Sequence, residues 1–298
     1  MRLPARLSRQ RGRHALVDGI PFDLPVNSEH TRALFAGFRI DPEQAARLLP
    51  GNELHPLRLV RHAVLVFTVV DYRFTDIGAY IEFSVAIGCT QGPRQAPRLL
   101  PLLLRRHYGT GQYVYDLPVS TEISVKGGKG IWGMPKHQAN LDFEVTEQTV
   151  ASRYGLDGEL VVSIEIDRPH RLGLPVDVSA VNYCQFRGML VKSYIHFAGR
   201  MNMAVGRGAK ARLYLGDHPR VAELGLLDVD PDPLFTGYVG DAAGALDDHF
   251  ESWFLSYPQA PATQPEGLES VVGLGLSQEW LPPPPTSPTK PLATEKQS

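Results

Sequence analysis

The chain has 298 residues, with 30 Lys+Arg against 32 Asp+Glu and a formal net charge of -2. Near-neutral charge speaks against a polyanion-binding surface, and the longest apolar runs, such as Ala63 to Val70, are far short of the ~20 residues a membrane-spanning helix needs. The 28 glycines and 25 prolines exceed ordinary usage and imply a chain that turns often, a Pro-rich tail, or both.

Residues 1–25 read as an irregular basic arm; no apolar stretch of a secretory leader follows the early arginines. Asp41-Pro42-Glu43 predicts a short helix through Leu49, with Asp as cap, Pro at the first helical position and Glu at the positive end of the dipole. Pro50-Gly51 ends it. Leu59 to Phe74 and Gly78 to Cys89, rich in Val, Ile, Phe and Tyr, predict two strands joined at Thr75-Asp76. Pro101 to Leu104 fits the start of a helix through His107, and Gln112 to Val119 fits a strand.

In Gln138 to Val145 the residues Ala139, Leu141, Phe143 and Val145 share one face, the period of a strand. Val150 to Tyr154 and Leu160 to Ile166 continue the meander around a Gly155-Leu156-Asp157-Gly158 turn. Asn182 to Phe197 and Ala211 to Leu215 add strand-like sequence, and Ala242 to Leu255 predicts a helix with Leu246, Phe250, Trp253 and Phe254 on one stripe. Strands do not alternate with long helices. The pattern therefore predicts an antiparallel, barrel-like α+β fold. It forms a single domain over residues 26–257. Residues 258–298 hold nine of the prolines and read as a Pro-rich disordered tail.

Cys89 and Cys184 are too few for a disulfide framework or a cysteine zinc site, and they suit a reducing, cytoplasmic setting. Dinucleotide, phosphate-loop and zinc-protease signatures are missing, and Asp228, Asp230 and Asp232 lack the glycine and glutamate of a calcium loop. No metal or organic cofactor, nucleic acid or membrane partner is expected.

The chemically suggestive stretch is Lys126 to Asn140, KGGKGIWGMPKHQAN. Pro135 fixes its own φ and biases Met134 toward extended backbone, while Gly133 permits close approach. The result is a stiff turn that delivers Lys136 beside Trp132 and Met134 at the start of an apolar strand. An amine attacks a carbonyl only when neutral. At the ordinary lysine pKa of ~10.4, roughly one lysine in 2,500 is neutral at pH 7. Burial lowers that pKa and gives such a lysine its use, because the protonated Schiff base is an electron sink for a neighbouring carbanion.

Trp132-Gly133-Met134-Pro135-Lys136 resembles the segment of the acetoacetate decarboxylase family that carries its Schiff-base lysine. Two further segments match in order. His30-Thr31-Arg32, followed by the Asp41 helix, is similar to the segment with the family's active-site arginine. Gly78-Ala79-Tyr80-Ile81-Glu82 followed by Ala86-Ile87 is similar to the segment with its active-site glutamate. The resemblance implies that Lys136 forms an imine with a small keto acid, that Glu82 orients substrate or handles a proton, and that Arg32 holds a carboxylate. It also implies a mainly antiparallel, barrel- or cone-like sheet with a few flanking helices, in a homo-oligomer. The family places a second lysine after the first; here His137 stands there, as a tuner of Lys136 together with Trp132 and Met134. The implied activity is a cofactor-independent carbon-carbon lyase, a decarboxylase. Schiff-base aldol or dehydration chemistry on a 2-oxo acid, and non-catalytic binding of a small ligand, are the alternatives.

Overall fold

The computed structural model describes residues 12–169, 173–259, 262, 263 and 279. In chain order its strands are β1 (Arg13–Val17), β2 (Ile20–Leu24), β3 (Val26–Ile40), β4 (Leu54–Pro56), β5 (Ala63–Tyr72), β6 (Phe74–Thr75), β7 (Tyr80–Gln91), β8 (Gly111–Val119), β9 (Lys136–Gln138), β10 (Asn140–Leu141), β11 (Glu144–Val145), β12 (Thr149–Leu156), β13 (Glu159–Asp167), β14 (Leu174–Phe186), β15 (Met189–Val205), β16 (Ala211–Leu215) and β17 (Pro233–Phe254). The α-helices are α1 (Pro42–Leu48), α2 (Leu100–Leu103) and α3 (Glu122–Trp132).

The large sheet runs β7-β5-β3-β17-β15-β14-β8, and β8 pairs back onto β7, so these strands close into a ring. All pairings in it are antiparallel except β14 with β8 and β8 with β9. The Asn182↔Gln112 and Tyr183↔Tyr113 pairs alone join β14 to β8. A smaller antiparallel sheet, β10-β12-β13-β16 with β11, covers one side.

Strand alternation divides the ring into two faces. On β5, Leu65, Phe67 and Val69 point outward into the main core, which they share with Val150, Tyr154 and Ile164 of the smaller sheet. Val64, Val66, Thr68, Val70 and Tyr72 point inward and line a cavity. Both faces are thus removed from bulk water, which is why Ala63 to Val70 is a continuous apolar run rather than an alternating one.

The expected α+β class with a mainly antiparallel wrapped sheet is present. The α1 helix begins as expected, with the Asp41 carboxylate accepting from the Glu43 and Gln44 amides at 2.8 Å each.

Two local expectations are corrected. The described part of the N-terminal arm is the β1–β2 hairpin, turning at Asp18-Gly19 and burying Phe22 against Gly127 of α3. Ala242 to Leu255 is not a helix: its residues through Phe254 belong to β17, which pairs with β15 and, at Ala242 to Leu246, also with β3. The β15 ladder along the segment and the β3 ladder at Ala242 to Leu246 satisfy its backbone, outweighing a modest local helix preference. Glu122–Trp132, for which the sequence pattern predicted no element, is the helix α3. The Pro-rich segment expected from residue 258 lies, but for residues 258, 259, 262, 263 and 279, outside the described residues.

Candidate active site

Lys136 opens β9, the short parallel strand beside β8, with Leu117 as its register partner. The α3 helix ends just before it at Gly133, whose left-handed φ of 64° caps the helix while its amide donates to the Gly128 and Lys129 carbonyls. Trp132 is buried and anchors this helix end by donating from Nε1 to the Asp247 carbonyl at 2.8 Å. Met134 is buried too and lines the cavity next to Lys136.

The Lys136 side chain then turns back under α3 and enters the cavity, 4% exposed. Its Nζ lies 2.7 Å from Glu82 Oε2 and donates to Ser124 Oγ at 3.0 Å. It also sits 5.4 Å from the centre of the Tyr80 ring, which stacks on Tyr72 at 4.6 Å. Glu82 and Tyr80 are both on β7 and share its inward face by the period-2 rule.

Burial by itself pushes the Lys136 amine down. The Glu82 carboxylate and Tyr80 more than offset that, so the amine is held above its usual value. This corrects the expectation of a lysine depressed by desolvation. Burial pushes the Tyr80 phenol up to about 12, so it remains protonated at neutral pH.

Of the residues singled out from sequence, Lys136 and Glu82 are brought together, with Met134 beside them. Arg32 is not. On β3, Thr31, Ala33 and Phe35 face the cavity, so Arg32 points to the other face. There it pairs with Asp71, donating from Nε at 2.9 Å, and lies over the Phe143 ring.

His137, one residue past Lys136, likewise faces away. Its Nε2 is 2.9 Å from the Tyr154 hydroxyl and its Nδ1 is 3.5 Å from the buried Asp116, which Arg220 clamps through two N–H donors. Burial holds the His137 imidazole below its usual pKa. The groups that set the Lys136 amine are Glu82, Tyr80 and Ser124, and His137 is not among them.

Ser124, Tyr80 and Tyr72 were not singled out from sequence. Tyr80 lies two residues before Glu82 and was findable by strand period; Ser124 reaches the amine only because α3 folds over β9.

The cavity has a volume of about 620 Å³. Among the described residues lining it, the cations are Lys136 and Arg105, and Arg105 edges the opposite end. Thr31 presents a buried Oγ1 without a hydrogen-bond partner at the Lys136 end, at the level of Tyr72. Among the described residues no helix is long and apolar enough to cross a membrane.

The fold has relatives among solved structures. Acetoacetate decarboxylase from Legionella pneumophila subsp. pneumophila str. Philadelphia 1 superimposes with a TM-score of 0.54 at 16% identity, over 75% of this chain and 85% of that one. The enduracididine biosynthesis enzyme MppR complexed with pyruvate gives 0.56 at 16% identity, over 76% and 90%. An acetoacetate decarboxylase-like enzyme from Sphingomonas wittichii RW1 gives 0.51 at 14%, over 78% and 95%. No curated protein matches the sequence significantly. At these identities the structures establish the fold. The family model described as "Acetoacetate decarboxylase (ADC)" matches residues 8–185, more than half of the chain and the whole stretch from β1 through β9, so this chain belongs to the acetoacetate decarboxylase family.

Proposed function

We propose that the protein is a cofactor-independent lyase that decarboxylates a keto acid through an imine on Lys136. The observation that carries this reading is the buried Lys136–Glu82 pair at the polar end of an otherwise apolar cavity.

The resting pair is ammonium and carboxylate. Glu82, at 2.7 Å, is the acceptor that takes the proton when a keto acid enters and displaces water. The freed Nζ lone pair attacks the keto carbon, Glu82 returns its proton to the carbonyl oxygen, which leaves as water, and a cationic imine remains beside the Glu82 carboxylate. The bond to the carboxylate then breaks, its electron pair moves into the imine to give an enamine, and carbon dioxide departs. A proton taken up from solvent through Glu82 then adds to the enamine carbon, and hydrolysis of the resulting imine releases the ketone and restores the ammonium–carboxylate pair.

The surroundings of the carboxylate favour its loss. Arg32 is turned away and the other lining cation, Arg105, is at the far end, so among the described residues no lining cation but Lys136 holds the carboxylate at the lysine end. A 2-oxo acid that keeps its carboxylate through an aldol or dehydration step gains from a lasting cationic partner, which this end of the cavity does not offer. MppR, of the same fold, binds pyruvate, which keeps that chemistry as the alternative within enzymes. The raised Lys136 value favours a second reading, a binding protein whose lysine stays charged.

Borohydride reduction in the presence of acetoacetate separates the two. An intact-mass increase that is lost in Lys136→Ala, together with carbon dioxide release, is the expected result. No adduct, or one that survives Lys136→Ala, overturns the imine.

A further inference from the structure

We infer that the keto acid handled at Lys136 carries an extended apolar chain, and that the body of the cavity exists to bury it. This rests on the imine reading of Lys136. The cavity is elongated. Along β8 its wall runs from Leu117, the register partner of Lys136, to Gly111, and six residues of strand span roughly 20 Å. Along β7 the same length separates Glu82 from Gly88.

Polarity is concentrated at the lysine end, where Lys136, Glu82, Tyr80, Tyr72 and Thr31 meet. Beyond it the walls are Val64, Val66, Val114, Ile195 and Phe197 among others, with a Thr68–Ser84 pair midway. Thr110, Gln112, Asn182 and Arg105 lie toward the far end, and the Thr110 hydroxyl donates to the Pro101 carbonyl. Gln112 donates from Nε2 to Asn182 Oδ1 across β8 and β14 at 2.9 Å, which engages one polar atom of each amide.

A keto acid with only a methyl group beyond its carbonyl would occupy the polar end and leave most of the 620 Å³ in contact with nothing. A cavity of that size is within the range of sites that enclose whole ligands, and apolar lining marks an apolar occupant. The far end reaches the surface beside Arg105, an exposed cation placed where an anionic substrate arrives.

The test has two arms on the full chain. In the first, calorimetry follows binding of butyrate, hexanoate, octanoate and decanoate, which lack the keto group and report the chain alone. Affinity is expected to rise by about fourfold per added methylene, the ratio for complete burial. In the second, kcat/KM and borohydride trapping are compared for acetoacetate and 3-oxooctanoate, with the longer acid favoured at least tenfold.

Gly88 supplies the control. A Cβ there meets Val64 Cβ at 3.6 Å, ordinary contact, so Gly88→Phe fills the far part of the cavity without a backbone clash. It is expected to lower the octanoate-to-butyrate affinity ratio at least tenfold, and Val66→Phe provides an independent plug. Affinity that ignores chain length, acetoacetate preferred over the longer acid, or a ratio unmoved by both plugs overturns the inference. Acetoacetate trapped without any chain-length effect overturns it alone. Chain-length-dependent binding with no trapped adduct overturns the imine chemistry and leaves the apolar chain assigned as the ligand.

Discussion

Gly128 of α3 and Lys136 of β9 share one space: a Cβ on Gly128 would come within 2.7 Å of Lys136 Cε. The helix gives up side chain at this position so that the lysine stem can pass beneath it to Glu82. The glycines of the KGGKG stretch are therefore packing residues. Gly127 similarly makes room for the Phe22 ring and Gly130 for Val17 of the β1–β2 hairpin.

Gly128→Ala exploits this. In an open helix the change adds up to about 1 kcal/mol of stability. Here the methyl group displaces the lysine, and misplacement by about 1 Å can cost on the order of a hundredfold in rate. The expected outcome is a folded protein with Tm within a few degrees of the parent and imine trapping slowed at least tenfold. Unchanged trapping would show that the amine does not need its place under α3.

Glu82→Gln removes the carboxylate that holds the Lys136 amine above its usual value. The pH midpoint of borohydride trapping should then move to lower pH. The stability effect has a defined sign. The folded lysine value lies above the unfolded one of about 10.4, so the pair stabilises the native state fully below pH ~10.4 and that contribution fades as pH rises through the folded value. The Tm gap between parent and Glu82→Gln should accordingly be largest near neutrality and narrow in alkali.

Arg32→Ala tests the orientation of β3. Arg32 pairs with Asp71 outside the cavity, and the two side chains are 31% and 16% exposed. Loss of a pair this accessible costs up to about 1 kcal/mol, and KM should stay within twofold of the parent. A large rise in KM would mean that Arg32 turns inward when substrate binds.

His137→Gln should flatten the acid side of the stability profile. Burial holds the folded imidazole below its unfolded value of about 6.5, so the unfolded chain takes up more protons below that pH and the native state weakens as pH falls from about 7 toward 5. Glutamine retains a hydrogen-bonding group for Tyr154 without that proton uptake. The trapping profile of Lys136 should not move, because His137 faces Tyr154 and Asp116 instead.

The sequence by itself determined the class of the fold, since β-rich segments broken by Gly and Pro admit little else. It also pointed to Lys136, through the likeness of Trp132 to Lys136 to the family's lysine-bearing segment; the Pro-stiffened turn alone did not single that residue out. Period-2 patterning along β7 put Tyr80, Glu82 and Ser84 on one face, and the same rule applied to β3 would have separated Arg32 from Thr31.

What the local pattern left open was which face of β3 looks into the ring. That was decided by which side the smaller sheet covers, a contact between residues more than a hundred positions apart. The helical glycines of α3 and the strand at Ala242 to Phe254 were hidden for a related reason. In each, tertiary neighbours outweigh intrinsic preference: the Lys136 stem and the hairpin side chains for α3, the β15 and β3 ladders for β17. The excess of glycine and proline thus has separate physical origins. Prolines from residue 258 onward cluster in the C-terminal segment, whereas Gly127, Gly128, Gly133 and Pro135 shape the path of one lysine into a cavity that exists only once the ring of strands has closed.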